Sequence, residues 1–103
     1  MNEVEFNIRL YLTGVMNSWA DRIGKDPQHF IFNAMTELFN SLSDSDIELI
    51  RLRYMERLTL AEIASRYLIN ESTVRHHTNP AIKQVKEIIK QAKEQAQHAR
   101  DYE

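Results

Sequence analysis

Residues 58–78 read LTLAEIASRYLINESTVRHHT. Two short runs with helical spacing are separated by a tight break. Thr59-Leu60-Ala61-Glu62 has the form of a capping box, in which the hydroxyl serves the amide three residues on and the glutamate reaches back. It opens a helix whose inner face is Ile63, Ala64 and Tyr67. Alanine at 64 is small enough for another helix to cross it closely and steeply. Asn70 is placed to cap the next helix, with Val74 as its buried anchor. Glu71, Ser72, Thr73, Arg75 and His76 are left facing outward. This is the pattern of a helix-turn-helix that puts its second helix into a DNA major groove.

Upstream, Ser43 is predicted to start a helix by accepting from the Asp46 amide, with Asp46 reaching back in return. Acids at 44, 46 and 48 suit the positive end of that helix. Ile47, Ile50 and Tyr54 share one face, with Leu49 beside them. Before it, Asp26-Pro27 reads as a cap followed by proline at the first helical position. Phe30, Ile31, Ala34, Met35, Leu38 and Phe39 follow at helical spacing, and Phe32 lies off that stripe, toward a neighbouring helix or a partner. Residues 3–24 read as one long amphipathic helix through Val4, Ile8, Tyr11, Leu12, Val15, Trp19 and Ile23. Gly14 weakens its middle by roughly 1 kcal/mol relative to alanine, and Gly24 is its expected stop.

Downstream, Asn79-Pro80 is a break, because proline in a helix loses a hydrogen bond and crowds the preceding turn. The second helix of the motif is predicted to end near Thr78. A sixth helix then starts at 80, capped by Asn79; a kinked continuous helix is the alternative. Ile82, Val85, Ile89, Ala92 and Ala96 make a seam, with the tail fraying after 98. That seam either pairs with its copy in a homodimer or covers the N-terminal helix. The expected organisation is all-α. An N-terminal helical region (1–41) offers a partner or dimer surface, the helix-turn-helix core covers 42–79, and a C-terminal helix with a frayed tail covers 80–103.

Composition narrows the function classes. Two glycines and two prolines leave little punctuation for a sheet. With no cysteine, disulfides and thiolate metal sites are excluded. No apolar run approaches the roughly 18 residues of a membrane span. The N-terminus, MNEVEFNIRL, lacks the basic start of a signal peptide, so a cytoplasmic setting with no membrane partner is expected. The net charge of −2 hides an uneven spread. Residues 1–50 hold three basic and eight acidic side chains, and residues 51–90 hold eight basic and four acidic. An acidic half followed by a basic half suits one surface for protein and one for phosphate.

Four stretches in order, LSDSDIELIRLRY (42–54), LTLAEIASRY (58–67), INESTVRHH (69–77) and AIKQV (81–85), resemble region four of bacterial sigma factors and, more loosely, the LuxR-type DNA-binding domain. The resemblance implies a transcription regulator that binds double-stranded DNA at a promoter. It also implies docking on the RNA polymerase beta-flap, or on another transcription protein, through the faces of the third and fourth helices. Residues 1–41 do not resemble the sigma regions that bind the minus-10 element, so the chain looks like a short phage or mobile-element regulator built on region four. It departs from the family pattern at Leu68, where glycine is usual, at Glu71-Ser72, where an Arg-Glu pair is usual, and at Pro80. The departures and the acidity also fit a rival: a sigma-mimic that occupies polymerase or a sigma partner without reading DNA.

The candidate DNA-binding residues are Thr59, Arg66, Glu71, Ser72, Thr73, Arg75, His76 and Lys83. Arg75 is the expected base reader, since its fork matches guanine O6 and N7 together. Ser72, Thr73 and His76 share its leading edge, while Arg66, Lys83, Lys86 and His77 are candidate backbone contacts. The fourth helix's N-terminus, Thr59 to Ala61, is a possible phosphate seat. His77 lies near the inner face and reads first as a satisfied core histidine. Arg51, Arg53 and Arg57 read either as phosphate contacts or as partners of Glu48 and Glu56. His76-His77 has no further ligands at metal spacing, and no catalytic string is present, so neither metal, cofactor nor enzymatic activity is expected.

Overall fold

The computed structural model describes residues 2–21 and 27–101, the side chains of 19–21 and 98–101 excepted. Five α-helices follow one another: α1 (Glu3–Leu12), α2 (Pro27–Ser41), α3 (Asp44–Tyr54), α4 (Leu60–Tyr67) and α5 (Glu71–Asp101). A 3-10 segment, Val15–Asp21, lies between α1 and α2. Among the described residues there is no strand, as the all-α reading requires.

The expected single helix over 3–24 is instead broken at Thr13-Gly14. Gly14 has φ +83°, a conformation that favours glycine, and its amide bonds the Tyr11 carbonyl at 3.1 Å. It thus performs at 14 the stopping role expected of Gly24, which lies outside the described residues, as do Ile23 and the Asp26 cap. Past the break the helical stripe is reset: Val15 is 52% exposed and Met16 is fully buried in its place. Pro27 does occupy the first position of α2.

The core is in two parts. Ile8, Met16, Met35, Leu38, Phe39 and Ile50 pack with Ala81, Ile82, Val85, Ile88 and Ile89 of α5. Phe32 joins this cluster, its ring 6.3 Å from that of Tyr11, which stacks on Phe39 at 4.9 Å. A smaller cluster holds Leu49, Leu52, Ile63, Ala64 and Val74. α3 serves both: Ile47, Ile50 and Tyr54 face the first, Leu49 and Leu52 the second. That is why its apolar residues do not form one stripe. The seam of α5 is likewise buried inside the chain, against α2 and α1. It covers the N-terminal helices and is not free to pair with a copy.

The predicted break at Pro80 does not occur. α5 runs unbroken for 31 residues, about 46 Å at the usual rise, with Pro80 inside it. Proline there costs roughly 3 kcal/mol. The buried row from Val74 through Thr78, Ala81, Ile82 and Val85 to Ala92 offsets this, since a break would take half of it out of one of the two cores. Asn79 is therefore an interior residue and not a cap, and the helix continues to Asp101.

Candidate nucleic-acid interface

Local chemistry sets the helix-turn-helix. Thr59 Oγ1 accepts from the Glu62 amide at 3.1 Å, and the Glu62 carboxylate accepts from the Thr59 amide at 3.2 Å, the full capping box. α4 ends at Leu68, which takes the left-handed conformation (φ +56°). The Ile69 amide closes the turn on the Ala64 carbonyl at 3.0 Å. Leu68 gains nothing by packing, being 92% exposed. Ile63, Ala64 and Val74 then seat α4 and the start of α5 on α3. Asn70 precedes α5, its carbonyl accepting from the Thr73 and Val74 amides.

The front of α5 is left to solvent. Ser72, Arg75, His76, Asn79, Pro80 and Lys83 line one shallow depression along the helix. Four of the candidate residues, Ser72, Arg75, His76 and Lys83, are brought together there. Glu71 is exposed at the head of the helix and Thr73 is half-buried beside it. Arg66 lies on α4, in a second depression with Leu58, Ala61, Glu62 and Ser65. Thr59 has its hydroxyl and amide taken up in the capping box. Asn79 and Pro80 were missed. They sit one turn past Arg75 and His76 on the same face, and only an assumed break at 80 removed them from it.

The cations divide by use. Arg9 donates to the Tyr54 and Met55 carbonyls at the C-terminal end of α3, at 3.3 Å each. Arg51 pairs with Glu48 at 3.3 Å and with Glu56 at 4.0 Å, as one of its two readings had it. Arg57 pairs with Glu5 of α1 at 2.8 Å, and Lys93 with Glu3 at 2.7 Å. Arg53 donates to Thr78 and Asn79. Among the described residues, Arg66, Arg75, Lys83, Lys86 and Lys90 make no ion pair. Among the described residues, these cations with neither an ion pair nor a hydrogen-bonded partner belong to α4 and α5.

His77 is not in the core: its side chain is 47% exposed, and Nδ1 donates to Asp46 Oδ1 at 2.9 Å. Asp46 is thereby drawn away from the Ser43 amide. Ser43 still accepts from the Asp46 amide at 3.1 Å, but the box is half made. Among the described residues no three His, Cys, Asp or Glu side chains are placed to hold a metal ion. Among the same residues no helix is long and apolar enough to cross a membrane.

The comparisons agree with this geometry. Residues 38–87 match the family model Sigma-70, region 4. The match runs from the last turn of α2 through α3 and α4 into the middle of α5, past Pro80. No curated protein and no solved structure matches the chain. The matched family is one of DNA-binding regulatory domains and not of enzymes. With its capping box, left-handed turn and open α5 front, the chain is a sigma region four-like helix-turn-helix protein, its likeness to the family carried by residues 38–87.

Proposed function

We propose that the protein is a sequence-specific DNA-binding regulator of transcription. It reads promoter DNA with the front of α5 and acts there with RNA polymerase, in the cytoplasm. The observation that carries this reading is the division of the cations. Among the described residues, Arg9, Arg51 and Arg57 are tied to carboxylates or backbone carbonyls and Arg53 to Thr78 and Asn79, whereas Arg66, Arg75, Lys83 and Lys86 are unpaired and exposed around the helix-turn-helix. Arg75 reads a base, Ser72, Thr73 and His76 contact bases or nearby phosphates, and Arg66 and Lys83 contact the backbone. Glu71 is suited to accept from a cytosine amino group. One helix-turn-helix binds weakly, so polymerase supplies the rest of the affinity, through the outer faces of α3 and α4. The seam of α5 is covered, so a homodimer would need some other face.

A second reading has one observation in its favour. Glu71 puts an unpaired carboxylate at the head of the reading edge, as a sigma-mimic that does not bind DNA would. A salt series on random-sequence duplex separates the two. A DNA binder loses affinity steeply, with a slope of about −0.9 for each phosphate neutralised, so three to five contacts give roughly −3 to −4.5. Absence of binding at low salt would sink the DNA reading and leave the mimic.

A further inference from the structure

α3 lies across α5 and holds it from both flanks at one level. On one flank the first turn of α3 supplies Asp46, which accepts from His77 Nδ1 at 2.9 Å. On the other, the last turn supplies Arg53. One of its guanidinium nitrogens donates to Thr78 Oγ1 at 2.7 Å and to Asn79 Oδ1 at 2.8 Å. Between the flanks Thr78 is completely buried, and its hydroxyl hands its own proton to the Val74 carbonyl at 2.8 Å. The next residue but one is Pro80, which has no N–H to give the His76 carbonyl. The clasp therefore sits where the hydrogen bonding of α5 itself is weakest. The reading segment, anchored by Val74 in one cluster, meets there the half bedded in the other cluster from Ala81 onward.

We propose that Arg53 is a positioning residue for DNA reading. Acting through Thr78 and Asn79, it fixes the orientation of residues 71–79 across Pro80, and it does not itself contact phosphate. The proposal rests on α5 being the reading helix. Charge-assisted hydrogen bonds are the strong kind, and a fully buried hydroxyl that loses its partner is costly. Both donor contacts of Arg53 reach the reading segment and neither reaches solvent-facing acid. The contact to Asn79 has a further effect. With one lone pair of its oxygen taken by Arg53, the Asn79 carboxamide is held in one orientation in the reading depression, its N–H groups left to serve an acceptor.

The test compares wild type, Arg53→Gln and Thr78→Val on a duplex selected by the wild type from a random pool and on random-sequence duplex, each over a salt series. Amide hydrogen exchange is measured on the free proteins in parallel. Both variants are expected to lose about tenfold in affinity for the selected duplex and roughly twofold or less for the random one, with the salt slope unchanged. Exchange at 75–78 speeds up in both, while 85–92 keeps wild-type rates. A slope shallower by about one in Arg53→Gln alone, with equal losses on both duplexes, would make Arg53 a phosphate contact and overturn the proposal. Unchanged selectivity, or exchange rising equally over both stretches, would overturn it too. Failure of the wild type to bind either duplex at low salt would remove the DNA reading itself. Hydrogen exchange, which needs no DNA, tells that failure from failure of the clasp.

Discussion

Arg75 stands next to the fully buried Val74 and is itself exposed and unpaired, so its fork is free to meet a base edge. Arg75→Ala should cost about 1–3 kcal/mol on a selected duplex and little on random DNA, measured by titration at fixed salt. Equal losses would reduce it to a phosphate contact. Leu68 invites the opposite change. A left-handed leucine costs roughly 1–2 kcal/mol, and at 92% exposure no packing offsets it. Leu68→Gly should therefore raise stability by about 1 kcal/mol in urea unfolding; a loss would mean that its side chain has a partner in the fold. Tyr54 links stability to pH. Burial raises its phenol above the ordinary value of 10.0, with Arg53 opposing and Glu5 assisting. The fold thus favours the neutral phenol. That contribution is present below pH 10 and is lost as pH rises through the raised value. Tyr54→Phe should flatten the alkaline fall in stability, and an unchanged curve would contradict the burial argument. At this scale Arg75, Ser72 and Val74 were legible from helical period, which nonetheless put Tyr67 on the inner face of α4, whereas the residue is 44% exposed. Arg53, Asp46 and His77 were not. Their partners lie 25 to 31 positions away, and local spacing carries no trace of such pairs.

Among the elements, α3 and α4 were legible because their starts are written in side-chain chemistry, Ser43 and Thr59 with Glu62; α5 starts after Asn70 as expected, but with the Asn70 backbone carbonyl and not its side chain accepting from the first amides. The two misjudged boundaries involve backbone rules weighed against tertiary packing. Gly14 was counted as a weak helix residue when its backbone turns left-handed and ends α1. Pro80 was counted as a stop when a buried row on both sides holds the helix together. If that is the balance, Pro80→Ala should leave the helix in place and restore the missing bond to the His76 carbonyl. It should stabilise the protein by about 1–2 kcal/mol once the looser unfolded chain is allowed for, as read from denaturant midpoints. Destabilisation would show that the native path of α5 needs the proline ring.

The whole molecule is an elongated body of 54 × 24 × 23 Å, with α5 along most of its length. Two apolar clusters share α3 and α5, so global unfolding takes both together. Val74→Ala, in the smaller cluster, should cost about 2 kcal/mol and lower one common thermal transition; two separate transitions would contradict the shared-helix account. Charge is divided along the same body. The acidic N-terminal half contributes Glu3 and Glu5 as anchors for Lys93 and Arg57, and among the described residues Arg66, Arg75, Lys83, Lys86 and Lys90 of α4 and α5 stay unpaired. That division was visible in the sequence as a change of sign between halves, but which cations stay unpaired depended on contacts across the fold. The most direct test of DNA reading by the front of α5 is an amide chemical-shift titration of the full chain with short duplex DNA at low salt. The account predicts that the largest shifts fall at 71–83, with smaller ones at 59–66 and little change along α2. Shifts centred on α1 and α2, or none at all, would contradict it.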